Sequence, residues 1–177
     1  DALERFYFMH YPARAEETQV RAALIGAGHY GVALLCQARA IPGLDMRVVC
    51  ERTMQQALAA FAHAGIDESE VVCADSAADA LRAYERGRWI AVEDASLIMG
   101  LPLDVVVECT GDAEAGARHA VAALDAGKHA AMITKEADCA VGPLLKRRAD
   151  AAGLVYTAVD GDQHGLLMGL VRWARGL

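Results

Sequence analysis

The 177-residue sequence is short of several things, and each shortage narrows its reading. Positive charge is one: 17 lysines and arginines stand against 24 acids, a formal net charge of −7. That balance argues against nucleic acid or an anionic membrane as a partner. No apolar run approaches the length that spans a bilayer. The first residues lack a basic segment followed by an apolar stretch, so no signal peptide is expected. There is no Cys-x-x-Cys. Cys36, Cys50, Cys73, Cys109 and Cys139 are scattered, odd in number and mostly inside apolar runs. They read as reduced, mostly buried thiols of a cytoplasmic protein. The six histidines show no ligand spacing, so no metal site is expected. Internal repeats and low-complexity linkers are missing as well.

What is present is a 55% hydrophobic chain, long enough for one domain with a sizeable core. Its most informative stretch is Val20 to Gly31. An apolar run ends in Gly26-Ala27-Gly28-His29-Tyr30-Gly31, and a helical pattern follows at once. Strand, glycine-rich turn and helix in that order form a phosphate-binding device. Gly26 permits the tight turn, Gly28 lets a pyrophosphate approach the backbone, and Gly31 lets the helix pack close to the strand. The first N–H groups of the helix, from His29 and Tyr30 onward, point at the anion.

Glycines at this spacing are weak evidence alone; an acid closing the next strand about 20 residues on strengthens them. Asp45 to Cys50 reads as that strand, and Glu51 ends it. A carboxylate there accepts hydrogen bonds from both hydroxyls of an adenosine ribose and repels a 2′-phosphate, which favours NAD over NADP. Arg52, next door, can stack on adenine or pair with a phosphate.

The remaining chain reads as alternating strands and helices, an α/β pattern of the Rossmann type: a doubly wound parallel sheet with helices on both faces. Residues 1–19 read as an arm and residues 20–177 as the dinucleotide-binding domain. A helix over Met54 to Ala64, a short strand Val71 to Cys73, a helix Ala77 to Arg86 capped by Ser76, and an extra strand or extended segment Trp89 to Val92 follow. The region from Thr53 to Leu101 is read as one crossover with an insertion. Val105-Val106-Val107 is a buried parallel strand. Its carboxyl end places Thr110 and Gly111 near a nicotinamide, and Asp112 caps the next helix, on which His119 is expected to be exposed. His129 to Ile133 is a further strand. It delivers Thr134 and Lys135 to a rim loop, where Lys135 could hold a substrate carboxylate or oxyanion, or merely pair with Glu136. A helix starting at Pro143, a strand Leu154 to Val159, and a polar cluster from Asp160 to His164 complete the rim. The cluster could orient a substrate or relay a proton, or form a plain turn before a helix.

These residues resemble a known group. Gly26-Ala27-Gly28-His29-Tyr30-Gly31, Val106-Val107-Glu108-Cys109-Thr110-Gly111, Gly127-Lys128-His129, Lys135-Glu136-Ala137-Asp138 with Gly142-Pro143, and Gly161-Asp162-Gln163 together look like the homoserine dehydrogenase-like oxidoreductases. The branch they most resemble often carries an added SAF domain and includes deoxyxylulose phosphate reductoisomerase-like enzymes. The resemblance implies a Rossmann domain binding NAD or NADP and a separate substrate and dimerisation domain, absent from this chain. It also implies hydride transfer to or from a small polar substrate, and a homo-oligomer at full length. For Lys135 it implies a place near nicotinamide and substrate, with Thr134 where the family carries asparagine. Two other readings share the glycine motif: a non-catalytic dinucleotide sensor and an S-adenosylmethionine-binding domain.

Overall fold

A computed structural model describes residues 19–158 and 163–176. The expected arm, up to residue 18, and Asp160 to Asp162 of the polar cluster lie outside the described residues. Among the described residues there are seven strands: β1 (Val20–Ile25), β2 (Leu44–Cys50), β3 (Val71–Cys73), β4 (Trp89–Val92), β5 (Val105–Glu108), β6 (His129–Met132) and β7 (Tyr156–Ala158). The helices are α1 (His29–Ala38), α2 (Met54–His63), α3 (Ala77–Glu85), α4 (Ala113–Asp125), α5 (Lys135–Ala151) and α6 (Gln163–Arg175). All strand pairs are parallel, in the order β3-β4-β2-β1-β5-β6-β7. The fold is Rossmann-like α/β.

A parallel sheet flanked by helices is buried on both faces, so its strands need apolar side chains at consecutive positions. β1 shows this directly. Ala23 and Ile25 pack on one face with Val48, Ile90, Val106 and Tyr84 of α3. Ala22 and Leu24 pack on the other with Leu35 of α1 and Phe61 of α2. A third cluster joins α4 and α5 to β6 and β7 through Leu124, Met132, Leu145 and Tyr156. Helix starts are set by short polar side chains: Thr53, Ser76 and Asp112 each accept an N–H from the first turn of α2, α3 and α4.

Three expectations need correction. The chain from Thr53 to Leu101 is not one crossover with an insertion. It is two strand–helix units: β3 forms the sheet edge, and β4 inserts between β3 and β2. Trp89 to Val92 is therefore an interior strand, with Ile90, Ala91 and Val92 fully buried. Second, the helix expected to start at Pro143 starts at Lys135, and Pro143 lies inside it. Pro143 is exposed, on the solvent side, where water can satisfy a carbonyl left without a donor. Third, the thiols are not mostly buried. Cys50 is buried, Cys36 and Cys109 are half-buried, and Cys73 and Cys139 are exposed; all five are free.

Lys128, within the Gly127-Lys128-His129 motif, is buried at 6% exposure. Its Nζ donates to the carbonyl of Leu101 at 2.6 Å and, more distantly, to that of Leu103. This ties the turn before β5 to the turn before β6. Lys128→Met keeps the stem volume and removes the donor. The expected cost is about 1–3 kcal/mol, read as a lower urea midpoint with an unchanged slope.

Candidate functional site

The carboxyl ends of the central strands finish level. Ile25 pairs with Cys50 on one side and with Glu108 on the other. The chain continues this register beyond the sheet: Gly26 N–H donates to the Cys50 carbonyl (2.9 Å), and Cys109 N–H to the Ile25 carbonyl (2.7 Å). The glycine turn, Glu51 and the Cys109-Thr110-Gly111 turn thus stand side by side. β1 lies between β2 and β5, where strand order reverses, and open parallel sheets take ligands at that point. A crevice of about 850 Å³ occupies it, lined by Gly28, Glu51, Arg52, Asp94, Thr110 and His119 among others.

Each glycine of the turn has its own geometry. Gly26 has φ +86°, and a methyl there would lie 2.7 Å from the Cys109 carbonyl carbon. A methyl on Gly31 would lie 2.3 Å from the Gly26 carbonyl oxygen. A methyl on Gly28 would meet nothing within 4 Å, so that position faces open space in the crevice. Gly28 is also the residue before α1, and α1 has no side-chain cap. Its opening N–H groups are not served from within the chain in the way those of α2, α3 and α4 are. Tyr30 is 51% exposed, and His29 is exposed beside it.

Glu51 is tied to the glycine turn. Ala27 N–H donates to its Oε1 at 2.5 Å, and Arg52 N–H to its Oε2 at 3.0 Å. Sequence reasoning found Glu51 but missed this tie, because the pattern of residues does not show which backbone amide a carboxylate meets. An ionised carboxylate has about four acceptor positions, so two backbone donors leave room for more. Arg52 is exposed at the crevice edge. Glu93, at the end of β4, accepts Met54 N–H at the start of α2.

Thr110 and Gly111 lie at the end of β5, as expected. Thr110 is held from below by Glu108: its N–H (3.1 Å) and hydroxyl (2.5 Å) both donate to Oε1. Gly111 N–H donates to Thr134 Oγ1 at 2.9 Å. Thr134 is itself buried, so its hydroxyl joins the β5 and β6 ends. Lys135 is not on a rim loop; it is the exposed first residue of α5 and lies outside the crevice lining. Gln163 and His164 open α6.

Two residues of this region were missed. Glu108 is 1% exposed. His119, expected to be exposed, is half-buried and lines the crevice, with Nδ1 3.4 Å from Glu108 Oε1. Burial works to raise the Glu108 pKa, but favourable contacts from His119, Thr110 and Thr134 outweigh it, and the carboxyl stands below its ordinary value. Part of the signal was in the sequence: an acid ending a Val-Val-Val strand lies inside the sheet, but which residue of the next helix meets it is not written in any local pattern. Cys50 and Cys109 also line the crevice. Burial pushes both thiols up to about 12, which leaves them protonated and poor nucleophiles. Among the described residues no cluster suits a metal ion, and no helix is long and apolar enough to cross a membrane.

No protein-family model matches the chain, and no curated protein matches its sequence. Solved structures do. A homoserine dehydrogenase from Thiobacillus denitrificans aligns at TM-score 0.59 and 20% identity, covering 80% of this chain and 29% of that one. An oxidoreductase from Agrobacterium radiobacter, in complex with NAD+, L-tartaric acid and magnesium, aligns at 0.58 and 15%, covering 80% and 35%. A 3-ketoreductase from Actinomadura kijaniata, in complex with TDP-benzene and NADP, aligns at 0.57 and 17%, covering 88% and 44%. At these identities the likeness shows the fold alone. The chain spans less than half the length of the structures it matches.

The glycine geometry makes opposite demands at two positions. Gly31→Ala forces a methyl onto a backbone carbonyl and is expected to cost about 1–3 kcal/mol. Gly28→Ala is expected to leave the free energy of unfolding in urea within about 0.5 kcal/mol of the parent. The same two denaturation curves check both statements.

Proposed function

We propose that residues 20–177 are the dinucleotide-binding domain of a nicotinamide-dependent oxidoreductase that takes NAD in preference to NADP. Its substrate would be a small polar compound exchanging a hydride with the nicotinamide. The observation that carries this reading is the uncapped start of α1, open at Gly28, with Glu51 tied to the same turn. The neighbouring structures solved with NAD+ and NADP support it through the shared fold.

The residues present fit such a ligand. Backbone N–H groups at the start of α1 receive the pyrophosphate, whose charge the helix dipole favours. Glu51 accepts the hydroxyls of the adenosine ribose, and its charge disfavours a 2′-phosphate. Arg52 covers the adenine side of the crevice. Thr110 and Gly111 border the nicotinamide end. Lys135, by its place after β6, is the candidate to hold a substrate carboxylate or oxyanion. When bound, the dinucleotide supplies a hydride acceptor or donor; the chain supplies position and charge. In this reading a separate substrate and dimerisation domain completes the enzyme, as the homoserine dehydrogenase resemblance implies.

Calorimetry with NAD, NADP and S-adenosylmethionine tests the reading. NAD is expected to bind most tightly and S-adenosylmethionine not at all. Glu51→Arg is expected to move the NADP-to-NAD affinity ratio by about tenfold or more towards NADP. Glu51→Gln keeps an acceptor for Ala27 N–H and removes the charge, and it is expected to move the ratio the same way. An unchanged ratio in both variants removes the assigned role of Glu51.

A further inference from the structure

A carboxylate withdrawn from water is expensive unless its charge is met by hydrogen bonds or an opposite charge. Glu108 is such a group, at 1% exposure. Its Oε1 takes both donors of Thr110. Its Oε2 lacks a hydrogen-bond partner among the described residues and sits over Gly116, where a methyl would approach to 3.0 Å. A glycine in the first turn of α4 thus leaves room for this carboxylate, beside Ala137 and Thr134. Holding Thr110 alone would not require a charge; a glutamine could do it.

The remaining neighbour is His119, one helical turn beyond Asp112 to Ala115, with its ring on the crevice wall. An ionised carboxylate only accepts, so the nitrogen that faces it must carry the hydrogen. That fixes Nδ1 as the protonated nitrogen of the neutral ring and leaves Nε2 with a lone pair. Nε2 lies on the side of the ring away from Nδ1. The pair sits where the β5 and β6 ends meet, between the Thr110-Gly111 turn and Thr134. In the cofactor reading above, this is the nicotinamide end.

We propose that His119, positioned by Glu108, is the proton acceptor of this crevice for an alcohol substrate. The inference rests on the dinucleotide reading. The step balances as follows. His119 Nε2 takes the hydroxyl proton of the substrate. A bound oxidised nicotinamide would supply the acceptor for the substrate's carbon–hydrogen electron pair as hydride, and the carbon–oxygen bond would become a carbonyl. The imidazolium is stabilised by Glu108 and returns its proton to solvent. Run backwards, the same imidazolium completes a carbonyl reduction. Glu108 is a positioning residue in this scheme.

Other charged groups face the ring or line the same wall. Asp94 comes from the turn after β4, and its pKa is lowered mainly by Ser96, with a smaller contribution from His119. Asp112, Glu114 and Arg118 come from α4 and its cap, with Glu114 and Arg118 paired at 3.4 Å. None of these changes between NAD+ and NADH. The nicotinamide ring does: it is cationic in one and neutral in the other.

That difference supplies a test needing no substrate. His119 is titrated by ¹⁵N spectroscopy of the labelled chain from about pH 5 to pH 9, with His119→Asn assigning its signals. With NAD+ bound, the midpoint is expected to lie lower than with NADH bound by about half a unit or more, because a nearby cation disfavours the imidazolium. Without ligand, Glu108→Gln is expected to move the neutral ring away from the Nδ1–H tautomer, read in the His119 ¹⁵N shifts at the high end of the pH range. Binding of both dinucleotides with equal midpoints overturns the assignment of His119 and leaves the cofactor reading standing. Binding of neither overturns both. Should Glu108→Gln fail to fold, the comparison in the unaltered chain still decides.

Discussion

The contact between Gly31 and the carbonyl of Gly26 governs the site. A single added methyl would stand 2.3 Å from that oxygen, closer than any packing adjustment of side chains could relieve, because the obstacle is backbone. α1 can cross the turn this closely only without a side chain at Gly31. The close crossing sets the start of α1 beside Gly28, which lines the crevice. On its other side the same turn presses against the backbone of Cys109 and Thr110. The turn is thus clamped between helix and neighbouring strand end, and its open side is left to Gly28.

The charge distribution around the crevice makes the backbone more important still. Glu51, Glu93, Asp94, Asp112 and Glu114 line it, against Arg52, Arg118 and His119. An anionic ligand cannot be held there by side-chain cations in excess. The helix start contributes roughly half a positive charge, and several aimed N–H groups contribute directional bonds that a solvated arginine does not. Two of the acids are already engaged with backbone: Glu51 with Ala27 and Arg52, and Glu93 with Met54. These hydrogen bonds delocalise their charge onto the turn and onto the start of α2, which eases the repulsion a phosphate would otherwise meet.

Much of this was legible in the sequence, and the reason is local. Burial on both faces demands consecutive apolar residues, so β1, β2, β5 and β6 announced themselves. Caps act over three residues, so Ser76 and Asp112 did as well. Order within the sheet is a non-local property: Val71 to Cys73 was legible as a strand, but nothing in Val71 to Val92 distinguishes an edge strand from an interior one, and the region was misread as one crossover with an insertion. Pro143 was misread because a proline suits the first turn of a helix in general, while α5 tolerates it on an exposed face. Glu108 and His119 lie eleven residues apart, on a strand end and a helix. Their meeting depends on how α4 docks over β5, a packing angle that no local pattern encodes.

The two ends of the crevice are built differently. At the glycine turn, a ligand meets backbone groups clamped in place, so binding there requires little rearrangement and depends weakly on pH. At the other end, Thr110, Thr134 and His119 are gathered around one buried charge. Removing that charge would take from Thr110 the acceptor of both its donors and from His119 its carboxylate partner, and such a loss reaches every member of the network. Rigidity at that end therefore comes from electrostatics, whereas at the first it comes from steric exclusion. A molecule spanning the crevice would be anchored by shape at its phosphates and presented, at its far end, to the region whose protonation state can change. That division suits a ligand with an inert handle and a reactive head.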